Sequence, residues 1–396
     1  MRFLPKKLQA YAPNWRSVAA IMVVITLAVG LLGYKLSSLT VGMSAQEVQF
    51  VNSASTIQSI MSDPLFLPQK LPLLFLHAVD LATPWTARLV STGFALASAV
   101  LLYLLIKQWH TRRMAVITSA LFVSSSWFLQ VGRIASPQIL YIFFTLALIY
   151  MYTLKSTSSK KRLAVLIAIV STCALYVPGM VLLVATLALI RRKLVLQLIK
   201  TLPAIWQILL LIALSVLIAP LLYAVAMEPL LGIRVLGITA EFVPIEWLKR
   251  VVLIPVFLST QGPYLPNMNL GRLPLLDVFS LVMVVLGGYW YYFRLKMTRT
   301  LVLLCSLGVT AFLMTFGGLE FIVILLPLTY IVMAAGLSLL LQQWSTVFPK
   351  NPLARIAGTV MIALAIVVVG NYHIQRYFVA WSGSQATNRT FIHQLR

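Results

Sequence analysis

Long apolar runs separated by short polar intervals make up most of this chain. Runs of roughly 20 apolar residues are the mark of helices that cross a bilayer. Taken in order, they predict spans at Ser17 to Leu36, Trp85 to Leu105, Met114 to Val131 and Ile139 to Leu154. The stretch from Leu163 to Ile190 contains Pro178-Gly179, which predicts two short spans rather than one long helix. Further spans follow at Ala204 to Ala226, Leu273 to Phe293, Leu301 to Thr315, Phe321 to Leu341 and Ile356 to Gly370. The expected fold is all-α: one polytopic membrane helical bundle over residues 1-396, with about eleven spans.

Two longer polar intervals and a tail interrupt the pattern, at 40-84, 227-272 and 371-396. The first predicts juxtamembrane helices, because Ser44-Ala45-Gln46-Glu47 ahead of Val48 and Phe50 has the capping-box spacing. In the second, Ile245, Leu248, Val251 and Val252 oppose Glu246, Lys249 and Arg250 at helical spacing, which suits a helix lying in the membrane interface.

Composition excludes a soluble domain: 61% of the residues are hydrophobic, 10% are charged, and mean hydropathy is +0.95. The net charge of +23 raises nucleic acid as a partner, but the basic residues lie in short clusters between apolar runs, which is the positive-inside pattern, and no nucleic acid is expected. Twenty of the 31 Lys and Arg fall on one side of this map, which places the amino end in the cytoplasm and the carboxyl end outside. All eight Asp and Glu fall on the opposite side or at an outer span end. Acids do not steer topology, so their one-sidedness points to an outward-facing site. Cys173 and Cys305 lie inside apolar runs, where packing is expected of them. No zinc-type spacing occurs, no cofactor is evident, and a carboxylate-bound divalent cation stays open.

Residues 85-150 open with an Arg-Leu at the start of the second span. They continue through the basic turn Lys107, Arg112, Arg113 to Gly132-Arg133 before the fourth span. This layout resembles GT-C class membrane glycosyltransferases, in the branch of protein O-mannosyltransferases and aminoarabinose-type lipid transferases. GMSAQEVQF resembles that family's outer Asp-Glu pair, the KLPLL segment from Lys70 its Lys/Pro-Pro-Leu segment, and FGGLEFIVILLPLTYIVMAAGL its late Tyr-Pro span. The chain departs from the family pattern at Gln46, at Pro137-Gln138 and at Glu320, where an Asp, a second Asp and a basic residue are usual.

The resemblance implies transfer of a sugar from a polyprenyl-phosphate donor to a lipid, glycan or protein acceptor. The reaction would run at the outer face of what is expected to be a bacterial cytoplasmic membrane. A carboxylate near the acceptor hydroxyl would take its proton, and one displacement would invert the anomeric carbon. Glu47 is the candidate base; its other reading is a helix cap. Asp63, ahead of Pro64, and Asp80 are further site carboxylates, or turn residues. Arg88, Arg133 and Lys70 are the candidate donor-phosphate ligands; pairing with an outer acid is the other reading of Arg88. His77 reads as packed or interfacial, and His373 as part of the outer tail without ligand spacing. Two other functions stay open: a transporter or lipid flippase, and a non-catalytic scaffold of the same fold, with membrane lipids as partners in every case.

Overall fold

The computed structural model describes residues 15-154, 160-238, 244-265 and 269-395. The chain begins with α1 (Trp15–Gly33) and three short helices in the first long loop: α2 (Ala45–Asn52), α3 (Ile57–Ser62) and α4 (Leu67–Ala78). Then come α5 (Pro84–Trp109), α6 (Arg112–Ser124), α7 (Ser126–Arg133), α8 (Ile139–Thr153), α9 (Lys160–Ala174), α10 (Met180–Ile190), α11 (Arg192–Thr201) and α12 (Ala204–Met227). The remainder is α13 (Pro229–Val235), α14 (Pro244–Ser259), α15 (Val278–Tyr292), α16 (Thr298–Phe316), a 3-10 turn at Leu319–Ile324, α17 (Leu325–Val347), α18 (Pro352–Gln375) and α19 (Gln385–Thr390). Among the described residues the one β-type pairing is an isolated bridge between Met43 and His393.

Among the described residues, five helices are long and apolar enough to cross a membrane: α5, α12, α16, the 319-347 unit and α18 with its continuation to Trp381. The pair α6–α7 makes a sixth if its two parts are one span, and α1, α8, α10 and α15 are shorter apolar helices. The protein is an integral membrane helical bundle.

The long helices are apolar for two different reasons. In the 319-347 unit 94% of the most apolar stretch is buried, whereas in α12 and in α18 only 11% is. An apolar helix left uncovered by protein is one solvated by lipid, so α12 and α18 form the rim and α17 the axis. The tightest crossing on that axis is with α15. A Cβ built on Gly287 would run into the Val332 carbonyl, and one on Gly336 into the Met283 carbonyl, so the two backbones touch where both helices lack a side chain.

Two breaks shape the bundle. The predicted break at Pro178-Gly179 is present: α9 ends at Ala174, and α10 starts after Gly179, whose φ of +75° is open to glycine at little cost. The second break went unread in the sequence. The predicted span Met114 to Val131 is bent by 65° between α6 and α7. Ser125 takes an extended conformation there, and its hydroxyl accepts from the Phe128 amide 3.2 Å away, capping a new helix rather than continuing the old one.

The segment from Asn371 is packed rather than loose. α18 runs on through it to Gln375, a π-helical turn covers Arg376–Trp381, and Trp381 and Phe391 are buried. His373 is therefore 2% exposed inside a helix, not in a tail. The predicted amphipathic stretch lies in α14, but most of the side chains named for its two faces fall outside the described residues. His77 packs as expected, with Nε2 3.3 Å from the Val51 carbonyl.

The turn between α5 and α6 carries a titratable group. His110 has its Nε2 buried without a partner and its ring beside Trp290, and burial together with the nearby Arg299 lowers its pKa to about 4. The folded protein keeps this ring neutral while the unfolded chain binds a proton below about 6.5. Its contribution to stability is thus complete above the higher value and is lost as the pH falls toward the lower one. Thermal unfolding of the detergent-purified protein should show a falling midpoint across that window, and H110Q should flatten the fall; an equally steep fall in H110Q would exclude His110 as its source.

Candidate functional site

The first long loop and the elements beneath it hold two separate charged clusters. The first is closed. Ser44 caps α2, accepting from the Glu47 amide at 3.2 Å, while Glu47 Oε2 accepts from the Ser44 amide at 2.8 Å. This is the capping box expected from the sequence. The same carboxylate also accepts from Arg88 Nε at 3.1 Å, from Arg88 Nη2 at 3.4 Å and from the Ala135 amide at 2.8 Å. Arg88 is equally occupied: Nη1 donates to the Leu36 carbonyl at 3.3 Å, and Nη2 to Thr40 Oγ1 at 3.1 Å and to the Gly42 carbonyl at 2.8 Å. Glu47 is 0% and Arg88 4% exposed. The pair joins the segment following α1, the start of α2, the first turns of α5 and the turn after α7.

Arg133, the second candidate phosphate ligand, sits beside this cluster with contacts of its own. Its Nη1 and Nη2 donate to the Leu31 and Tyr34 carbonyls, both at 2.5 Å, and its guanidinium lies 4.8 Å from the Phe378 ring centroid. It binds the end of α1 to the carboxyl-terminal segment.

The second cluster is partly open. Lys70 Nζ donates to the Asp63 carbonyl at 2.5 Å and to Asp63 Oδ2 at 3.4 Å. The lysine side chain is 2% exposed, but that of Asp63 is 40% exposed. Burial lowers the Lys70 pKa below its ordinary value, Asp63 opposes that shift, and the neighbouring Arg234 adds to it. Arg234 is exposed on α13. Apolar packing assembles the group: Ile60, Leu65, Leu67, Tyr176, Leu221 and Leu231 form one buried cluster that joins α3, α4, the turn ahead of α10, the end of α12 and α13. The Phe66 amide donates to the Tyr176 carbonyl at 2.7 Å and clamps the turn that carries Asp63.

An aromatic ridge leads away from that turn. Phe66 meets Tyr141 edge-on at 6.1 Å, and Tyr141 meets Phe321 at 5.4 Å. Glu320, exposed in the 3-10 turn, stands next to Phe321. Asp80 is exposed in a left-handed turn (φ +51°) that follows α4.

The structure thus brings Glu47 to Arg88 and Asp63 to Lys70, and it leaves Asp80 outside both groups. Sequence reasoning missed Arg234, although it is the only Lys or Arg between Lys200 and Lys249. It also missed a buried chain from Ser126 Oγ to His373 Nδ1 (3.2 Å) and from His373 Nε2 to Asp277 Oδ2 (3.0 Å). Asp277 at the same time caps α15 through the Ser280 amide at 2.9 Å, so this chain ties the α6–α7 break to α18 and α15. Among the described residues no three His, Cys, Asp or Glu cluster as metal ligands would.

No family model and no curated protein matches this chain. Its architecture does match solved structures. The archaeal oligosaccharyltransferase AglB from Archaeoglobus fulgidus, in complex with an inhibitory peptide and a dolichol-phosphate, aligns over 95% of this chain at a TM-score of 0.53 and 12% identity. ArnT from Cupriavidus metallidurans aligns over 96% when bound to undecaprenyl phosphate (TM-score 0.52, 13% identity) and over 95% in the apo state (0.56, 12%). The fold is that of the GT-C membrane glycosyltransferases. The chain spans 56% of the AglB chain and 79% of the ArnT chain. At this identity the likeness is one of fold.

Proposed function

We propose that this protein is a glycosyltransferase that moves a sugar from a polyprenyl-phosphate carrier to an acceptor hydroxyl at the membrane face bearing the 40-84 loop. Arg234 holds the carrier phosphate, Lys70 adds positive charge from its buried place beside Asp63, and Asp63 receives the acceptor proton. The acceptor oxygen attacks the anomeric carbon, the bond from that carbon to the phosphate oxygen breaks, and the polyprenyl phosphate departs with the bonding electrons. One displacement of this kind inverts the anomeric centre. Two cations beside the leaving phosphate stabilise the charge that develops on it, and the exposed guanidinium of Arg234 suits a phosphate geometrically.

The observation that carries this reading is the difference in accessibility between the two carboxylates. The Asp63 side chain is 40% exposed beside Lys70, and that of Glu47 is fully enclosed by Arg88 and two backbone amides. A general base must come within hydrogen-bond reach of the proton it takes. For Glu47 to serve instead, Arg88 and the Ala135 amide would first have to let it go, which makes it the second reading. The membrane carrier fits the fold's neighbours, which were solved with dolichol-phosphate and undecaprenyl phosphate.

The test is transfer in proteoliposomes from a panel of radiolabelled polyprenyl-phosphate sugars. Wild type should transfer from at least one donor. D63N should slow turnover by about 10²–10⁴-fold, the usual worth of a positioned base. R234Q should chiefly raise the donor KM. Full activity in D63N would remove Asp63 from the role, and wild-type inactivity across the panel would overturn the assignment.

A further inference from the structure

A cavity of about 790 Å³ lies between the start of α6 and the last turns of α17, two helices that pack against each other. α5 carries the chain away from the 40-84 loop over 26 residues, about 39 Å of helix, and α6 begins after the short turn that follows. The cavity therefore stands at the opposite end of the bundle from the Asp63–Lys70 cluster. Arg112 and Arg113, which open α6, line one side of it, and Ser338, Leu341, Gln342 and Ser345 line the other. The α17 residues recur at i, i+3, i+4 and i+7, so they form one stripe of that helix. Three of the four are polar, on an axial unit whose most apolar stretch is 94% buried.

The α6 side holds more positive charge than the surrounding protein neutralises. Arg112 Nη1 donates to Ser17 Oγ of α1 at 3.3 Å. Arg113 is exposed and has no protein partner among the described residues. Ser338 Oγ accepts from Gln342 Nε2 at 3.4 Å, but its own proton meets no acceptor among the described residues. No Asp or Glu stands in the described walls or in the first turn of α6. A helix N-terminus already carries positive partial charge, so two guanidiniums placed there repel it unless an anion lies among them. Membrane topology asks for cations at one end of the bundle, but not for their convergence with a hydroxyl and an amide on one cavity.

We propose that this cavity binds a phosphate group, gripped by the guanidiniums of Arg113 and Arg112, with the Ser338 hydroxyl donating to a further oxygen. Guanidinium forks match phosphate oxygens in geometry as well as charge. The site shares no residue with the Asp63–Lys70 cluster and is independent of the proposed transfer reaction. Two sources carry this chemistry at a membrane face, a lipid headgroup with a terminal phosphate and a soluble phosphate, and separate titrations tell them apart.

Isothermal titration calorimetry of the intact protein in detergent, with dihexanoyl phosphatidic acid in one arm and inorganic pyrophosphate in the other, tests the assignment. The expected result is saturable one-to-one binding in at least one arm, and the arm that binds names the source. R113Q should weaken that binding by about tenfold, the usual worth of charge-assisted bonds to one guanidinium. S338A, which removes one neutral donor, should weaken it by a smaller factor, about threefold. K161Q removes the same charge outside this cavity, from an exposed residue on α9, and should change binding less than about twofold. Arg113 and Lys161 are both exposed, so both variants should fold as wild type does. Wild-type protein that binds neither ligand would overturn the site. So would equal weakening by R113Q and K161Q, which general surface charge would produce.

Discussion

Replacing Arg88 by methionine should cost about 3–5 kcal/mol of stability, because it strands a buried carboxylate. Glu47 is wholly enclosed, and two of the hydrogen bonds it accepts come from Arg88. The substitution also frees the Leu36 and Gly42 carbonyls that the guanidinium satisfies. Buried acceptors left without donors carry a full desolvation cost. Arg88→Lys should recover only part of the loss, since one ammonium cannot span from Leu36 to Gly42 and still meet both carboxylate oxygens. Unfolding of the detergent-purified variants, followed by thermal melting, is the check. R88M within about 1 kcal/mol of wild type would show that the pair is dispensable to the loop's anchorage.

The second large effect is expected at the α15–α17 crossing. Gly336→Val places a branched side chain where the α15 backbone lies against α17, with the Met283 carbonyl in its path. Overpacking of this kind commonly costs 1–3 kcal/mol, and about the upper end or more is expected where the obstacle is backbone, which cannot rotate aside. The neighbouring Gly288 is the control. A Cβ built there meets nothing within 4 Å, so Gly288→Ala should be neutral or slightly stabilising through helix propensity. Similar melting shifts for the two variants would contradict the close approach at Gly336.

What could be read in the sequence was local. Ser44 and Glu47 are three residues apart, so their capping box was visible, as was the break at Pro178-Gly179. The partner of Glu47 was not, because Arg88 lies 41 positions along the chain and nothing in either neighbourhood points to the other. Span-like segments were legible, but their placement was not. Lipid and protein interior are equally apolar, so the enclosed 319-347 unit and the lipid-facing α12 have the same pattern. The bend at Ser125 was hidden because a serine within an apolar run serves equally well as a helix residue or a cap. Asp63 looked like a turn residue and is one; only the folded loop shows that the turn also sets its carboxylate beside Lys70.

The central claim is a division of labour, in which Glu47 holds the loop together and Asp63 does the chemistry. The direct test measures E47Q and D63N side by side for melting temperature and for sugar transfer per folded molecule. E47Q should melt well below wild type yet transfer at a comparable rate per folded molecule, whereas D63N, in which the Asp63 carbonyl still accepts from Lys70, should lose less stability than E47Q and lose transfer. A normally stable E47Q without activity, alongside an active D63N, would contradict it.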